Sequence, residues 1–319
     1  MKIRGILIAT GVVAMLGASA SAQTVGLGTT KGGLTAQVTA TISKVVSTHS
    51  NGLQMRTQVM GGTQKYIPVV NAGELEFGVS NMMQYTMAVT GTGLSAGKKY
   101  DNLRIVATMM VFRTGLIVPA NSPIMKVAQL RGKRLPSGFK GAPLFHFMFS
   151  AGLANGSVSY NDVEKVPYIG LRQHWNGFKQ GKIDAAWGGI GAGHVRDMNA
   201  KIKGGVRFLS FDDSPDALKR VHKYAPHTRF LTVKPAKPFV GVMTPTNVLA
   251  FDYMLWAHKG VSNDAVSKVA KAMYENEKEL HAAGPFWRSH KSKKMGKNQG
   301  WPYHPGAISF YKQVGVWKR

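Results

Sequence analysis

Glycine-containing loops that follow apolar segments hold the residues of this 319-residue sequence that are best suited to chemistry. The first such loop follows the segment 24–28, precedes a helical pattern at 34–46, and consists of Thr29, Thr30, Lys31, Gly32 and Gly33. A strand, a glycine loop and a helix in this order direct backbone N–H groups and the helix dipole toward a carboxylate or a phosphate. The spacing matches neither G-x-G-x-x-G nor the P-loop, so the loop predicts an anion site and not a nucleotide site.

A second loop of this kind contains Gly61, Gly62 and Thr63, between a strand pattern at 53–60 and a helical pattern at 64–72. Thr63 is suited to cap that helix and Gly73 to end it. Pro68 is expected to shorten or kink the helix unless it lies in the first turn.

Residues 71–79 and 179–187 share one pattern, in which a helix ends at glycine and a charged residue leads into a buried strand. Ser80 and Asn81 follow the first strand, and Trp187, Gly188 and Gly189 end the second. Ligands of open α/β sheets bind beyond the carboxyl ends of the strands. The sequence therefore predicts that these two groups of residues face each other across a cleft between two α/β lobes.

Four side chains in these regions have two interpretations. Trp187 is either a core residue or part of a pocket at the strand end. Lys31 and Lys140, each within a glycine loop, are either pocket cations or solubilising residues. Arg113 lies in an apolar passage, where a buried guanidinium requires a carboxylate that either the protein or a ligand supplies.

Catalytic and metal-binding patterns are sparse. The ten histidines form no H-E-x-x-H motif, and no G-x-S-x-G motif is present. The sequence has no cysteine, which excludes disulfides, thiolate metal sites and cysteine nucleophiles. We therefore expect a protein that is not an enzyme and that uses no cofactor and no metal.

Strand patterns alternate with helical patterns along the chain, which predicts an α/β protein with two parallel or mixed sheets flanked by helices. Nearly continuous apolar passages at 104–119 and 239–250 predict two strands that cross between the lobes as a hinge. The segment 262–283 predicts one long helix, with Ser262 as its cap and Gly284 and Pro285 as its stop.

Residues 1–22 have the pattern of a secretory signal peptide, with Lys2 and Arg4 before an apolar run and small residues at its end. The apolar run of about 13 residues is shorter than the ~20 that span a bilayer, so we expect a periplasmic protein without stable membrane insertion. The chain has 41 Lys+Arg against 15 Asp+Glu, a net charge of +26, which either favours anionic partners or keeps the protein soluble. Because the basic residues are scattered and not interleaved with aromatic residues, nucleic acid is not an expected partner.

Six short motifs, in their order and spacing, resemble the TAXI group of extracytoplasmic solute-binding proteins, which serve TRAP-type transporters. The resemblance covers nearly the whole chain after residue 22. The motifs are Gly28-Thr-Thr-Lys-Gly-Gly33, Val59-Met-Gly-Gly-Thr63 with Asn71-Ala-Gly-Glu-Leu-Glu-Phe-Gly-Val79, Leu103-Arg-Ile-Val-Ala107, Val127-Ala-Gln-Leu-Arg-Gly-Lys-Arg134, Gln180-Gly-Lys-Ile-Asp-Ala-Ala186 and His304-Pro-Gly-Ala307.

The resemblance implies a two-lobed, type II-like periplasmic-binding fold that closes on a small organic anion, a dicarboxylate or an acidic amino acid, and delivers it to a TRAP permease. Residues 23–111 and 241–319 would form the first lobe and residues 112–240 the second. Carried onto this sequence, the ligand-facing positions of the family fall on the loops described above and on Ser137, Lys140, Gly141 and Ala142.

This chain departs from the family pattern at two loops. A tyrosine pair is replaced by Thr35 and Ala36, and a Gly-Ser-Gly-Thr loop is replaced by residues 140–143. With Lys31 and Lys140 added, we expect a ligand more anionic than the family's amino acids. A periplasmic sensor subunit that presents the ligand to a membrane receptor is the alternative function, and a polyanion-binding protein is a further one.

Overall fold

A computed structural model describes residues 22–31 and 33–317, in which the chain forms ten strands, ten α-helices and five short 3-10 helices. The predicted signal peptide, apart from Ala22, lies outside the described residues, as does Gly32. The strands are β1 Gln23–Thr30, β2 Leu53–Met60, β3 Phe77–Asn81, β4 Leu103–Pro119, β5 Arg134–Gly138, β6 Glu164–Tyr168, β7 Ala186–Gly189, β8 Val206–Phe208, β9 Arg229–Val233 and β10 Thr246–His258. The helices are α1 Gly33–His49, α2 Thr63–Ala72, α3 Met82–Thr90, α4 Leu144–Asn155, α5 Leu171–Lys179, α6 Gly193–Lys201, α7 Pro215–His222, α8 Asn263–Glu275, α9 Glu277–Ala282 and α10 Pro305–Gln313.

The large sheet has the strand order β2-β1-β3-β10-β4-β7, with β8 also paired to β4 and β9 to β10. β1 is parallel to β2 and β3, whereas β10 is antiparallel to β3, β4 and β9. β5 and β6 form a separate parallel pair. The predicted α/β class with mixed sheets and flanking helices is confirmed.

Two long strands, β4 and β10, run side by side through the middle of the sheet. The apolar passage predicted at 104–119 is confirmed as one strand. The bounds predicted for the second passage, 239–250, are wrong. A turn at Gly241, with φ +84°, precedes the strand, which begins at Thr246 and continues to His258.

Buried apolar side chains form three clusters along these two strands. One cluster, the first core, draws on residues 25–110 and 253–311. The other two draw on residues 116–251, together with Met83 and Met87 of α3, and we treat them together as the second core. We call the residues packed around the first core the first half of the molecule and those packed around the second core the second half. The lobe boundaries after residues 111 and 240 stay predictions.

Local sequence signals account for most element ends. Gly73 ends α2 with φ +83°, as predicted, but the N-cap of α2 is Gly62 and not Thr63, and the helix continues through Pro68. The buried strand predicted after Gly73 begins only at Phe77 and includes Ser80 and Asn81, which were expected to follow it.

The single long helix predicted at 262–283 is wrong. The Ser262 hydroxyl caps α8 by accepting from the Ala265 N–H. Asn276, with φ −110° and ψ 37°, then interrupts the helix, and its amide donates to the Ala272 carbonyl at 2.7 Å. Within residues 22–31 and 33–317, no helix is both long and apolar enough to cross a membrane.

Candidate functional site

The ends of three neighbouring strands form one wall of the candidate site. β1 is parallel to β2 and β3, with Thr30 opposite Met60, so the loops after these strands lie at one sheet edge. Asn81 at the end of β3 lies opposite Tyr253, which lies opposite Met110 of β4. Because β10 is antiparallel to both β3 and β4, β3 runs in the same direction as β4 and its end points toward the second core.

The end of β7 forms the opposite wall. β7 is antiparallel to β4, and its last residue, Gly189, lies opposite Thr114. The carboxyl end of β7 therefore points back toward the first core. The start of β5 lies beside the segment that leads into β7, since the Asp184 N–H donates to the Arg134 carbonyl at 2.9 Å.

The first wall ends at the level of Met110 and the second at the level of Thr114, which are four positions apart on β4. At about 3.3 Å per residue, this is a gap of roughly 13 Å along the strand. Residues 111–113 of β4 and 250–252 of β10 form its floor. The strand register thus brings the predicted loops of the two halves to either side of this floor, and we refer to the space between them as the cleft.

Arg113 lies in this floor. Its half-buried guanidinium stacks on Phe239, with 4.8 Å between its central carbon and the ring centre. Burial lowers the pKa of Arg113, and no carboxylate of the described residues forms an ion pair with it. A desolvated cation is costly unless an anion lies close to it. The cleft floor therefore holds a positive charge that the described residues do not compensate.

The loop after β7 leads into α6 directly beside Arg113. The Ile190 N–H donates to the Arg113 carbonyl at 2.9 Å. A Cβ at Gly191, which has φ +77°, would lie 3.7 Å from the Phe239 ring. α6 begins at Gly193; the Val195 and Arg196 N–H groups donate to the Ala192 carbonyl, so that only the N–H groups of Gly193 and His194 have no acceptor within the helix. Arg113 and the loop that leads into α6 thus lie beside the same ring, an arrangement that favours an anionic group between them.

Hydroxyl groups mark the first wall. The Thr29 hydroxyl shares a hydrogen bond with Thr39 of α1. The Thr35 hydroxyl, in the first turn of α1, lies 2.5 Å from the Tyr253 hydroxyl. Burial raises the pKa of Tyr253 to about 12, so this phenol is neutral at pH 7. The start of α1, at Gly33 with φ +79°, is thereby attached to β10.

Ser80 and Asn81, which the sequence places at this wall, already have partners. The Trp256 indole N–H donates to Ser80 Oγ at 3.0 Å. Asn81 caps α3, since its Oδ1 accepts from the Gln84 N–H and its amide donates to Gln84 Oε1, both at 2.8 Å. Both side chains are buried, so they shape the wall from within.

The loop of Gly61, Gly62 and Thr63 joins β2 to α2 at the same edge. Gly61 is exposed, and Gly62 has φ +154°, a conformation that L side chains rarely adopt. Thr63 is buried, and its hydroxyl lies 3.2 Å from the Tyr66 hydroxyl. The two glycines therefore leave backbone accessible here, whereas the threonine side chain packs inward.

The loop expected to contact the ligand from the second half consists of Ser137, Lys140, Gly141 and Ala142. The buried Phe139 between them has φ +52°, a strained value for a residue with a side chain. The Gly141 N–H donates to the Ile169 carbonyl at 2.8 Å and the Ala142 N–H to the Phe139 carbonyl at 2.9 Å. Since these amides are already bonded, the exposed Lys140 is the main group that this loop offers to an anion.

Trp187 lies in the second core rather than in the cleft. Its indole is only 2% exposed and packs edge-on against Phe149, with 5.5 Å between the ring centres. A Cβ at Gly188 would lie 2.2 Å from Ile117, and a Cβ at Gly189 would lie 2.8 Å from Phe112. Packing therefore requires glycine at both positions.

Two histidines, the buried His174 and the partly buried His194, lie behind the loop after β7. The Gly189 N–H donates to His194 Nε2 at 3.3 Å and the Trp187 N–H to His174 Nε2 at 3.4 Å. The His194 ring also stacks on Trp175 at 4.0 Å. Burial lowers the pKa of His174 to about 3 and that of His194 to about 4, so both are neutral acceptors at pH 7.

Sequence reasoning missed Phe239, Tyr253 and His194 as members of this region. A signal was available for the loop beyond Gly189, because a third glycine, Gly191, precedes a helix, as in the first loop. No local pattern connects Phe239 or Tyr253 with residues more than 100 positions away.

A model of the NMT1-like family matches residues 27–315. Among solved structures, the chain is similar to MatC from Rhodopseudomonas palustris with bound malate, at 16% identity over 92% of this chain and 97% of that chain, with a TM-score of 0.56. A structure described as a periplasmic transporter matches at 17% identity over 92% of each chain, with a TM-score of 0.55. A putative periplasmic sulfonate-binding protein, SsuA from Methylobacillus flagellatus KT, matches at 12% identity over 92% and 88%, with a TM-score of 0.50.

These similarities establish the fold as that of periplasmic binding proteins. Of these structures, SsuA is described as a periplasmic sulfonate-binding protein and MatC is described with bound malate. In the part of the chain that the structure describes, no group of three or more histidines and carboxylates could hold a metal ion.

Proposed function

This chain belongs to the NMT1-like family, and we propose that it is an extracytoplasmic solute-binding protein that captures a small organic anion, a dicarboxylate or an acidic amino acid, in its cleft. We further propose that it delivers this solute to a TRAP-type membrane permease. The motifs that resemble those of TAXI proteins support the type of permease.

The uncompensated guanidinium of Arg113 is the observation that carries the proposal. Its half-burial beside Phe239 weakens its hydration without providing a carboxylate. A solute carboxylate would restore the missing interaction, and a hydrogen bond between charged groups contributes about 1.5–3 kcal/mol. The planar guanidinium also suits a carboxylate, which it can bind through two parallel hydrogen bonds.

Binding between the halves provides a mechanism for delivery. Arg113 and the start of α6 lie on the side of the second core, and the start of α1 lies on the side of the first. A solute that contacts both sides favours the arrangement in which they are close, so its binding shifts the population toward a closed form. A membrane partner that prefers this form would receive only the loaded protein.

The similar structures define which solutes to test first. MatC is described with malate, a dicarboxylate, and SsuA is described as sulfonate-binding. A carboxylate and a sulfonate each present an anionic group to a guanidinium, but they differ in geometry. The first experiment is therefore a thermal-shift screen of the purified protein against L-malate, succinate, citrate, L-glutamate, short alkanesulfonates and phosphate.

A solute that binds only the folded protein raises the free energy of unfolding by ~2.7 kcal/mol when its concentration is 100 times its Kd. This stabilisation gives a clear rise in Tm. We expect the largest rise with a dicarboxylate. A folded protein that none of these anions stabilises would contradict the proposed solute class.

A pair of arginine variants separates binding from folding. Arg207 is also desolvated, but its guanidinium donates to the carbonyls of Ala120, Ser122 and Ile124. We expect Arg113→Met to abolish binding without lowering Tm, and Arg207→Met to lower Tm without changing Kd. Unchanged solute affinity in Arg113→Met would contradict the assignment.

The transport partner is tested by reconstitution. Proteoliposomes that contain a TRAP permease should accumulate labelled solute only when this protein is added with it. Tight solute binding without uptake, together with binding to a membrane receptor, would instead favour the sensor function.

A further inference from the structure

Asp252 is a buried carboxylate at the point where β10 passes from the second core to the first. The preceding residue, Phe251, packs in the second core, and the following residue, Tyr253, packs in the first. Asp252 itself is 3% exposed. A carboxylate at this depth requires partners that replace its water.

Three side chains supply these partners. Arg229 Nη2 donates to Oδ1 of Asp252 at 2.8 Å, Lys297 Nζ donates to Oδ2 at 2.6 Å, and Gln299 Nε2 donates to Oδ2 at 2.8 Å. Burial alone would raise the pKa of Asp252, but the three donors outweigh it and lower the pKa. The group is therefore an anion that two cations share.

One of the cations belongs to the second half. Arg229 begins β9, and its neighbour Phe230 packs against the second core. A further contact between the halves lies close in sequence to Arg229, since the rings of His227 and Trp301 are 6.0 Å apart. Trp301 packs against the first core.

The other cation belongs to the first half. Lys297 and Gln299 follow Met295, which is buried in the first core and whose carbonyl accepts from the Thr108 N–H at 2.9 Å. Gln299 also donates to the Thr108 hydroxyl at 3.0 Å. Asp252 thus joins side chains anchored in both halves at the floor of the cleft.

We propose that Asp252 is a positioning residue that sets the angle between the two halves and, through that angle, the affinity for the solute. Successive side chains of a strand point to opposite faces. Tyr253 accordingly reaches Thr35 at the start of α1, whereas Asp252 reaches Arg229 and Lys297. Rotation of one half against the other must change the distances within this carboxylate cluster.

The effect on affinity rests on the proposed function, but the effect on the angle does not. The angle is therefore measured first without solute. Because the sequence has no cysteine, Ala40→Cys and Ala200→Cys introduce one spin label into an exposed helical position of each half. Double electron–electron resonance then gives the distribution of distances between α1 and α6.

Asp252→Asn, Arg229→Met and Lys297→Met test the cluster in this labelled background. The matched control is Asp184→Asn, since Asp184 pairs with Arg134 at 2.6 Å within the second half alone. We expect each of the three cluster variants to broaden or shift the distance distribution, and Asp184→Asn to leave it unchanged. The two cation variants alter partly exposed side chains and so test the angle even if Asp252→Asn fails to fold.

Titration with L-malate and L-glutamate then tests the link to affinity. We expect the cluster variants to change the Kd of the bound anion at least fivefold, and Asp184→Asn to leave it within twofold. A lower Tm with an unchanged distance distribution would make Asp252 a structural residue only and overturn the proposal. Altered distances with an unchanged Kd would overturn the proposed effect of Asp252 on affinity. A wild-type protein that binds neither anion would contradict the proposed function, but it would leave the effect on the angle untouched.

Discussion

Arg113 and Asp252 lie close together on the paired strands β4 and β10, but their surroundings are opposite. Arg113 lies opposite Ala250, and Asp252 lies opposite Val111. Asp252 has two cations and an amide, whereas Arg113 has an aromatic ring and no carboxylate among the described residues. The comparison separates a carboxylate whose charge the protein itself compensates from a guanidinium whose charge it does not, and only the second fits the proposed binding of an anionic solute.

The largest expected effect is on folding. Asp252→Asn should lower the free energy of unfolding by about 2–4 kcal/mol, less than for a fully buried pair because Arg229 and Lys297 are partly exposed. Arg113→Met should leave it unchanged or raise it. Urea unfolding at pH 7 measures both, and equal losses in the two variants would remove the distinction.

Two histidines of the second half, His174 and His194, make the stability of the protein depend on pH. His174 and His194 have pKa values of about 3 and about 4 in the folded protein, below their ordinary value near 6.5. The unfolded chain therefore binds more protons between pH 6.5 and pH 4, and stability should fall by a few kcal/mol as the pH falls through this range.

Unfolding at several pH values tests this effect in His194→Gln, which keeps an acceptor for the Gly189 N–H. Its stability should depend less steeply on pH than that of the wild type. His146→Gln, the same substitution at an exposed histidine, is the control. The same slope in His194→Gln would contradict the buried neutral state.

A smaller effect is expected from Arg113→Lys. Lysine keeps the charge but cannot form two parallel hydrogen bonds to a carboxylate. We expect affinity to fall about tenfold, or ~1.4 kcal/mol, by isothermal titration calorimetry. Full affinity in this variant would mean that Arg113 acts only through its charge.

The smallest effects are expected at the exposed lysines Lys31 and Lys140. Lys31→Gln and Lys140→Gln should each weaken solute binding by about 0.2–1 kcal/mol at low salt, and the loss should vanish as salt screens the charges. Lys140→Ala should likewise reduce the affinity for the most anionic solute. Tight glutamate binding that Lys140→Ala leaves unchanged would contradict the expected preference for a more anionic ligand.

Much of the fold could be predicted because its signals are local. β2 has the predicted bounds, and Gly73 ends α2 as its position indicates. The interruption at Asn276 could not be predicted, because the apolar pattern continues past it and only its own backbone and amide contact end α8. The second hinge strand was misplaced because the apolar segment before Thr246 includes a turn at Gly241.

The candidate site was predicted at the level of loops and not of side chains. Strand order places the loops, and alternating strands and helices indicate that order. Whether a polar side chain can contact a ligand depends on partners that are distant in sequence. The Ser80 hydroxyl, for example, already accepts a hydrogen bond from the Trp256 indole N–H. The same holds for Arg113, whose environment depends on Phe239 and on the lack of a carboxylate nearby.

The central claim, that Arg113 binds a small organic anion between the two halves, is tested most directly by a crystal structure with the best anion from the screen. We predict a carboxylate or sulfonate oxygen within hydrogen-bonding distance of the Arg113 guanidinium, with the start of α6 on one side and that of α1 on the other. An anion bound elsewhere, for example in the cavity of about 380 Å³ lined by Lys133 and Lys203, with Arg113 still unpaired, would contradict the claim.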